Sequence, residues 1–146
     1  MRVRRASPDD AEAVLAVHRA SRAAAYAHLG PPEQAVGQST VESWAAALAD
    51  GDAWVHEEDG RVVAFAHKVG PKLAGLYVHP DAQGRGIGSE LLDTAVAAGA
   101  RELWVYEDHP TARAFYERRG WVAEPETTHV GEDWALPRPA LRYRLA

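Results

Sequence analysis

Cysteine is absent from this sequence, and methionine occurs once. Without a thiol the chain can build no disulfide framework, no thiolate zinc site, no iron–sulfur cluster and no acyl-enzyme thioester. Lysine is scarce as well: arginine supplies 14 of the 16 basic residues, and no basic block exceeds Arg4-Arg5 or Arg118-Arg119. Against these stand 21 acidic residues, a formal net charge of −5, so nucleic acid is not the expected partner. Long apolar runs are missing too, and no segment approaches the ~18 consecutive apolar residues of a membrane span. The opening MRVRRASPDD passes from bases straight to acids. It predicts neither signal peptide nor membrane anchor, and a cytoplasmic protein.

What is present is an ordinary globular balance, 47% hydrophobic and 25% charged over 146 residues. A chain of this length buries about two thirds of its unfolded surface, so a single domain over 1–146 is expected. Ser7-Pro8-Asp9-Asp10 joins an N-cap hydroxyl, a proline for the first helical position and two first-turn acids to Ala11, Val14, Leu15 and His18 at helical spacing. A helix over 8–27 is predicted. After Gly30-Pro31-Pro32, the capping box Ser39-Thr40-Val41-Glu42 precedes Trp44, Ala45 and Leu48 and predicts a helix over 40–50.

Glu58-Asp59-Gly60 separates two strand-like runs, 53–57 and 61–67, and its Asp-Gly pair marks a tight antiparallel hairpin. A strand over 73–78, a glycine-rich loop, a helix closing at Gly99, a strand over 101–106 and a helix over 110–119 come next. The helical crossover makes those two strands parallel. Trp121-Val122 and 140–145 read as final strands, and the 17 residues between them, with Pro125, Pro137 and Pro139, as an extended binding loop. The order predicts an α+β fold with a mostly antiparallel mixed sheet of about seven strands.

Gln83-Gly84-Arg85-Gly86-Ile87-Gly88 lies between a strand and a helix. Its glycines let successive backbone N–H groups turn toward one point, a nest that binds phosphate at a helix N-terminus. A Walker loop is excluded, because no Gly-Lys-Ser/Thr follows. Gly84 and Gly86, with Glu107 and Asp108 downstream, fit part of the dinucleotide fingerprint. Ser89 stands at its third glycine, however, the loop after Val78 is too long, and too few parallel strands follow.

Leu76-Tyr77-Val78-His79-Pro80 followed by Gln83 to Gly88 resembles the acetyl-CoA signature of the GNAT superfamily of N-acetyltransferases, Gln/Arg-x-x-Gly-x-Gly/Ala. Ala112, Phe115, Tyr116, Glu117 and Gly120-Trp121 resemble its second motif, Asn-x-x-Ala-x-x-Phe-Tyr-x-x-x-Gly-Phe, so that the similarity runs over 61–122. The resemblance implies a sheet splayed between strands 73–78 and 101–106, with the pantetheine arm of acetyl-CoA in the gap. Leu76, Tyr77 and Val78 would line the pantetheine. Gln83, Gly84, Arg85, Gly86, Ile87, Gly88 and Ser89 would hold the pyrophosphate. It also implies no metal, an amine acceptor on a small molecule or peptide N-terminus, and, by family habit, a homodimer.

With no cysteine to carry the acetyl group, transfer would be direct. Tyr116 matches the family's general acid, a phenol of pKa about 10, with core packing beside Phe115 as the competing role. The Val78 N–H would meet the oxyanion. The base stays open: Lys72 stands where many relatives carry glutamate, leaving Glu57, His67, Tyr77, His79 or a water acting through one of them. His109 replaces the family's asparagine at an N-cap, where it would cap less well and either touch the cofactor or lie exposed. Tyr26, Trp44, His129 and Trp134 are candidates to line the acceptor pocket, and the net charge mildly favours a cationic amine. The alternative function is a non-catalytic acyl-CoA-binding module of the same fold.

Overall fold

A computed structural model describes residues 3–25, 40–130 and 139–145. The strands are β1 (Val3–Arg5), β2 (Asp52–Glu58), β3 (Arg61–Val69), β4 (Lys72–Val78), β5 (Glu102–Tyr106), β6 (Trp121–Val130) and β7 (Pro139–Leu145), and the helices are α1 (Ala11–Ala25), α2 (Val41–Asp50), α3 (Ile87–Ala97) and α4 (Pro110–Glu117). Among the described residues, no helix is long and apolar enough to cross a membrane.

Local chemistry sets the boundaries. Pro8–Asp10 form a 3₁₀ turn ahead of α1, closed by the Ser7 N–H donating to Asp10 Oδ2 at 2.8 Å; residues 26 and 27 of the predicted helix lie outside the described residues. α2 is capped by Thr40, whose Oγ1 accepts from the Ser43 N–H at 3.1 Å while Ser43 Oγ accepts from the Thr40 N–H at 2.9 Å. The reciprocal partner is thus Ser43 and not Glu42. At the β2–β3 hairpin Asp59 and Gly60 both take positive φ, 52° and 78°, as a tight turn matched to strand twist requires.

The seven strands form one mixed sheet in the order β1-β2-β3-β4-β5-β7-β6, antiparallel except for β4 with β5. α1 and α2 cover one face, over Ala53, Val55 and Phe65, with Val14, Val17 and Leu48 from the helices. The opposite face packs Ala64, Ala66, Leu103 and Val105 against Leu91 and Leu92 of α3 and Tyr116 of α4. One expectation fails at the C-terminal side. The stretch read as a loop from residue 123 belongs in large part to β6, whose pairing with β7 is interrupted after Glu124 and resumes at His129↔Ala140. β6 is an edge strand. An edge tolerates the missing donor of Pro125, which is why proline was a poor stop signal there.

Candidate active site

β4 and β5 pair only at Lys72↔Glu102 and Leu73↔Leu103. Just beyond, β4 carries an extra residue: His67 faces Gly75 and Lys68 faces Leu73, leaving Ala74 unopposed as a bulge. A bulge bends its strand. From that point the two parallel strands run on without pairing, and a seam opens within the sheet.

The ladder to β3 fixes which groups face the seam. The His79 N–H donates to the Val63 carbonyl at 2.8 Å. In an antiparallel ladder bonded and non-bonded pairs alternate, so Ala64↔Val78 and Ala66↔Leu76 are the non-bonded ones. The N–H and C=O of Leu76 and Val78 therefore point toward β5. The Val78 carbonyl accepts from Gln83 Nε2 at 3.1 Å, so on that residue the N–H is the group left for a ligand.

The seam leads to the glycine loop. Gly84 and Gly86 take left-handed φ of 80° and 81°, and a Cβ built on either meets nothing within 4 Å. Gly86 is the N-cap of α3, which starts at Ile87. This is an open cradle of backbone amides at the positive end of a helix. Gly88 lies deeper, where a Cβ would contact Phe115 and Val78 at 3.5–3.6 Å.

Of the predicted side chains here, Arg85 is directed away from the cradle. Its Nη1 and Nη2 donate to Glu58 Oε2 and Oε1 at 3.1 and 2.8 Å, tying it to the β2–β3 hairpin. Arg119, which the motif reading did not nominate, reaches the cradle instead. Its guanidinium lies 3.9 Å from the Phe115 ring centroid and its Nε donates to Ser89 Oγ at 3.3 Å.

Tyr116 on α4 is 9% exposed, its ring edge-on to Phe115 and Trp121, and its hydroxyl makes no hydrogen bond among the described residues. Burial first, and then the nearby Tyr77, hold its pKa well above the ordinary phenol value. The phenol keeps its proton but is a weaker acid than a free one. His109 does cap α4: its Nδ1 accepts from the Ala112 N–H at 3.3 Å.

On the face covered by α1 and α2, the chain assembles a second cluster that only partly follows expectation. Tyr77 accepts from Arg22 Nη1 at 3.2 Å, and Arg22 Nη2 reaches the Tyr106 hydroxyl at 3.5 Å, so one buried arginine links β4 and β5 across the seam. His18 packs edge-on to Tyr77 and Trp44, with centroids 4.9 and 5.3 Å apart. Burial, followed by the charges of Arg22 and Arg19, lowers its pKa to about 4, leaving a neutral imidazole at neutral pH.

The candidate bases are dispersed. Glu57 is engaged by Arg4, whose Nε donates to it at 2.7 Å. His79 Nδ1 accepts from the Asp81 N–H at 3.1 Å and so caps a turn. His67 is buried behind Trp44 with its pKa lowered chiefly by that burial. Of the four, Tyr77 stands in the cluster beside the seam, and His67 borders it through Trp44. Among the pocket candidates Trp44 is in that cluster, Tyr26 and Trp134 lie outside the described residues, and His129 is described only as the backbone partner of Ala140.

The model of the family described as Acetyltransferase (GNAT) domain matches residues 49–123. The chain belongs to the GNAT acetyltransferase family. It is 38% identical over 98 residues to a mycothiol acetyltransferase of Amycolatopsis mediterranei (strain U-32), covering 58% of this chain and 32% of that protein. The chain thus spans about a third of the length of the first curated relatives it matches. Among solved structures it is similar to a GCN5-related N-acetyltransferase from Rhodopseudomonas palustris, with a TM-score of 0.77 and 29% identity over 98% of this chain and 94% of that one. It also shares its fold with the PaiA N-acetyltransferase of Thermoplasma acidophilum in complex with coenzyme A, with a TM-score of 0.74 and 20% identity, covering 97% of each chain.

Proposed function

We propose that this protein transfers the acetyl group of acetyl-CoA directly to an amine of a small molecule or a peptide N-terminus. The observation that carries the reading is the seam between β4 and β5, which runs from unpaired strand edges to the open glycine cradle. Its residues suit the cofactor: an amide-bearing arm finds the free N–H groups of Leu76 and Val78, and a pyrophosphate finds the amides of residues 84–89, with open space where Gly84 and Gly86 lack a Cβ. The complex of the Thermoplasma PaiA enzyme with coenzyme A supports the same use of the fold.

Acetyl-CoA, when bound, supplies an acetyl group activated as a thioester. The amides at the start of α3 hold the pyrophosphate, with Arg119 as the side-chain cation beside them. The Val78 N–H stabilises negative charge developing on the carbonyl oxygen. Tyr116 donates its phenolic proton to the departing sulfur as the C–N bond forms and the C–S bond breaks. The proton shed by the acylated amine passes to solvent water, and the phenol is reprotonated from solvent. Its raised pKa keeps that proton in place until a thiolate is generated beside it. The aromatic cluster of His18, Trp44 and Tyr77 forms the acceptor side of the seam.

Titration calorimetry of the full chain with acetyl-CoA, followed by a panel of amines scored by released thiol, tests this reading. Cofactor binding with thiol release by at least one amine is the expected result. Binding without release by any amine would assign the non-catalytic module, and no binding would remove the reading.

A further inference from the structure

The glycine loop has little of its own to hold it. Two of its residues, Gly84 and Gly86, are left-handed glycines, and the space where their side chains would be is empty to 4 Å. Glycine is the residue whose ordering costs most entropy. Two side chains anchor the turn from either side of Gly84. Gln83 is fastened to the Val78 carbonyl, and Arg85 makes its paired bonds to Glu58 at 2.8 and 3.1 Å. Glu58 is the last residue of β2, at the tight hairpin with positive φ at Asp59 and Gly60. Its side chain is 17% exposed, against 51% for Arg85. Between the hairpin and the loop lies a cavity of about 340 Å³ lined by Glu58, Asp59, Val63, His79, Asp81 and Arg85. The ion pair joins the two elements at its lining.

We propose that Glu58 is a positioning residue for the cofactor: through Arg85 it holds the glycine loop in the shape that binds phosphate before the ligand arrives. Arg85 is therefore a tether and not a phosphate ligand, and the loop meets phosphate through its backbone. This inference rests on acetyl-CoA being the ligand of the seam. A planar fork paired with a carboxylate is geometrically specific, and preorganising a loop raises affinity by lowering the entropy lost on binding.

The two roles open to Arg85 give opposite signs for one substitution. If Glu58 positions the loop, Glu58→Gln weakens CoA binding about three- to fivefold, the range of an exposed ion pair. Arg85→Ala weakens it by a similar factor, and the double variant is no worse than either single one. KM for acetyl-CoA rises with kcat held, and amide hydrogen exchange at residues 84–89 of the cofactor-free Glu58→Gln protein quickens while its melting temperature stays. If Arg85 is a phosphate ligand restrained by Glu58, Glu58→Gln tightens CoA binding and Arg85→Ala alone weakens it. That result, or equal affinity of wild type and both single variants, overturns the proposal. Failure of the wild-type protein to bind CoA or acetyl-CoA would instead remove the functional reading beneath it.

Discussion

Arg119 lies over the face of Phe115 at 3.9 Å and donates to Ser89 at 3.3 Å, so a cation from the end of α4 is held at the first turn of α3. Stacking fixes the plane of the guanidinium, and the hydroxyl fixes its direction. Arg119→Ala is expected to weaken CoA binding about tenfold, as loss of a charge-assisted contact does. Arg119→Lys should recover part of it, because the charge returns without the planar stack. Calorimetry with CoA and with dephospho-CoA checks this and reads which phosphate is met: an equal loss for both ligands assigns the contact to the pyrophosphate.

Gly86 stands at φ 81° with open space about it. Gly86→Ala therefore meets no clash, and its cost is backbone strain of about 1–2 kcal/mol, relieved by rotating out of the left-handed region. CoA affinity should fall while the fold persists. Calorimetry beside a denaturant titration checks both halves.

Tyr116 is 9% exposed, and its hydroxyl makes no hydrogen bond among the described residues. Tyr116→Phe should leave stability nearly unchanged, since the ring contacts to Phe115 and Trp121 survive and no protein hydrogen bond is lost. Single-turnover transfer should slow by about 10² to 10⁴. Wild-type rates in the variant across the pH range would assign the residue to packing.

His109 caps α4 through Nδ1. His109→Ala should cost about 0.5–2 kcal/mol, and His109→Asn should restore it. Urea unfolding of the three proteins at pH 7 measures the series. A loss of acetyl transfer in the stable Asn variant would show that the ring also serves the chemistry.

His18 carries a pH signature. Its pKa is about 4 in the fold against an ordinary 6.5, so between those values the unfolded chain binds more protons. Stability then falls as pH drops from about 6.5 toward 4, by on the order of 3 kcal/mol for this residue, and levels off below. Arg22 and Arg19 add to the cost of charging it, and His67 titrates in the same sense. His18→Phe keeps a ring against Trp44 and Tyr77 and should make this acid limb shallower. Urea midpoints across that pH range decide it.

The parts of this site that were legible in sequence are those that glycine, proline and capping residues punctuate. Asp59-Gly60 announced its hairpin, and Gly84 and Gly86 announced the cradle, because few other residues adopt those torsions. The bulge at Ala74 was silent, since alanine in a strand carries no signal of its own. So were contacts made across the sheet. Arg22 meets Tyr77 and Tyr106 from 55 and 84 positions away, and Glu58 meets Arg85 from 27. A motif names residues that face a ligand; it does not say which neighbouring charge engages them, as Glu58 engages Arg85 here.

The extra residue at Ala74 also gives the sheet a second kind of border. Most sheets have two outer margins, whereas here β4 past Gly75 and β5 past Leu103 face each other as margins inside the sheet. Such a margin invites another extended chain, the hazard that edge strands ordinarily pose. Enclosure between the α1–α2 and α3–α4 layers denies it to a polypeptide strand with side chains on both faces. Under the proposed function, a slender chain of amides without side chains is what the slot would admit, so defence against aggregation and selectivity for a ligand would share one origin.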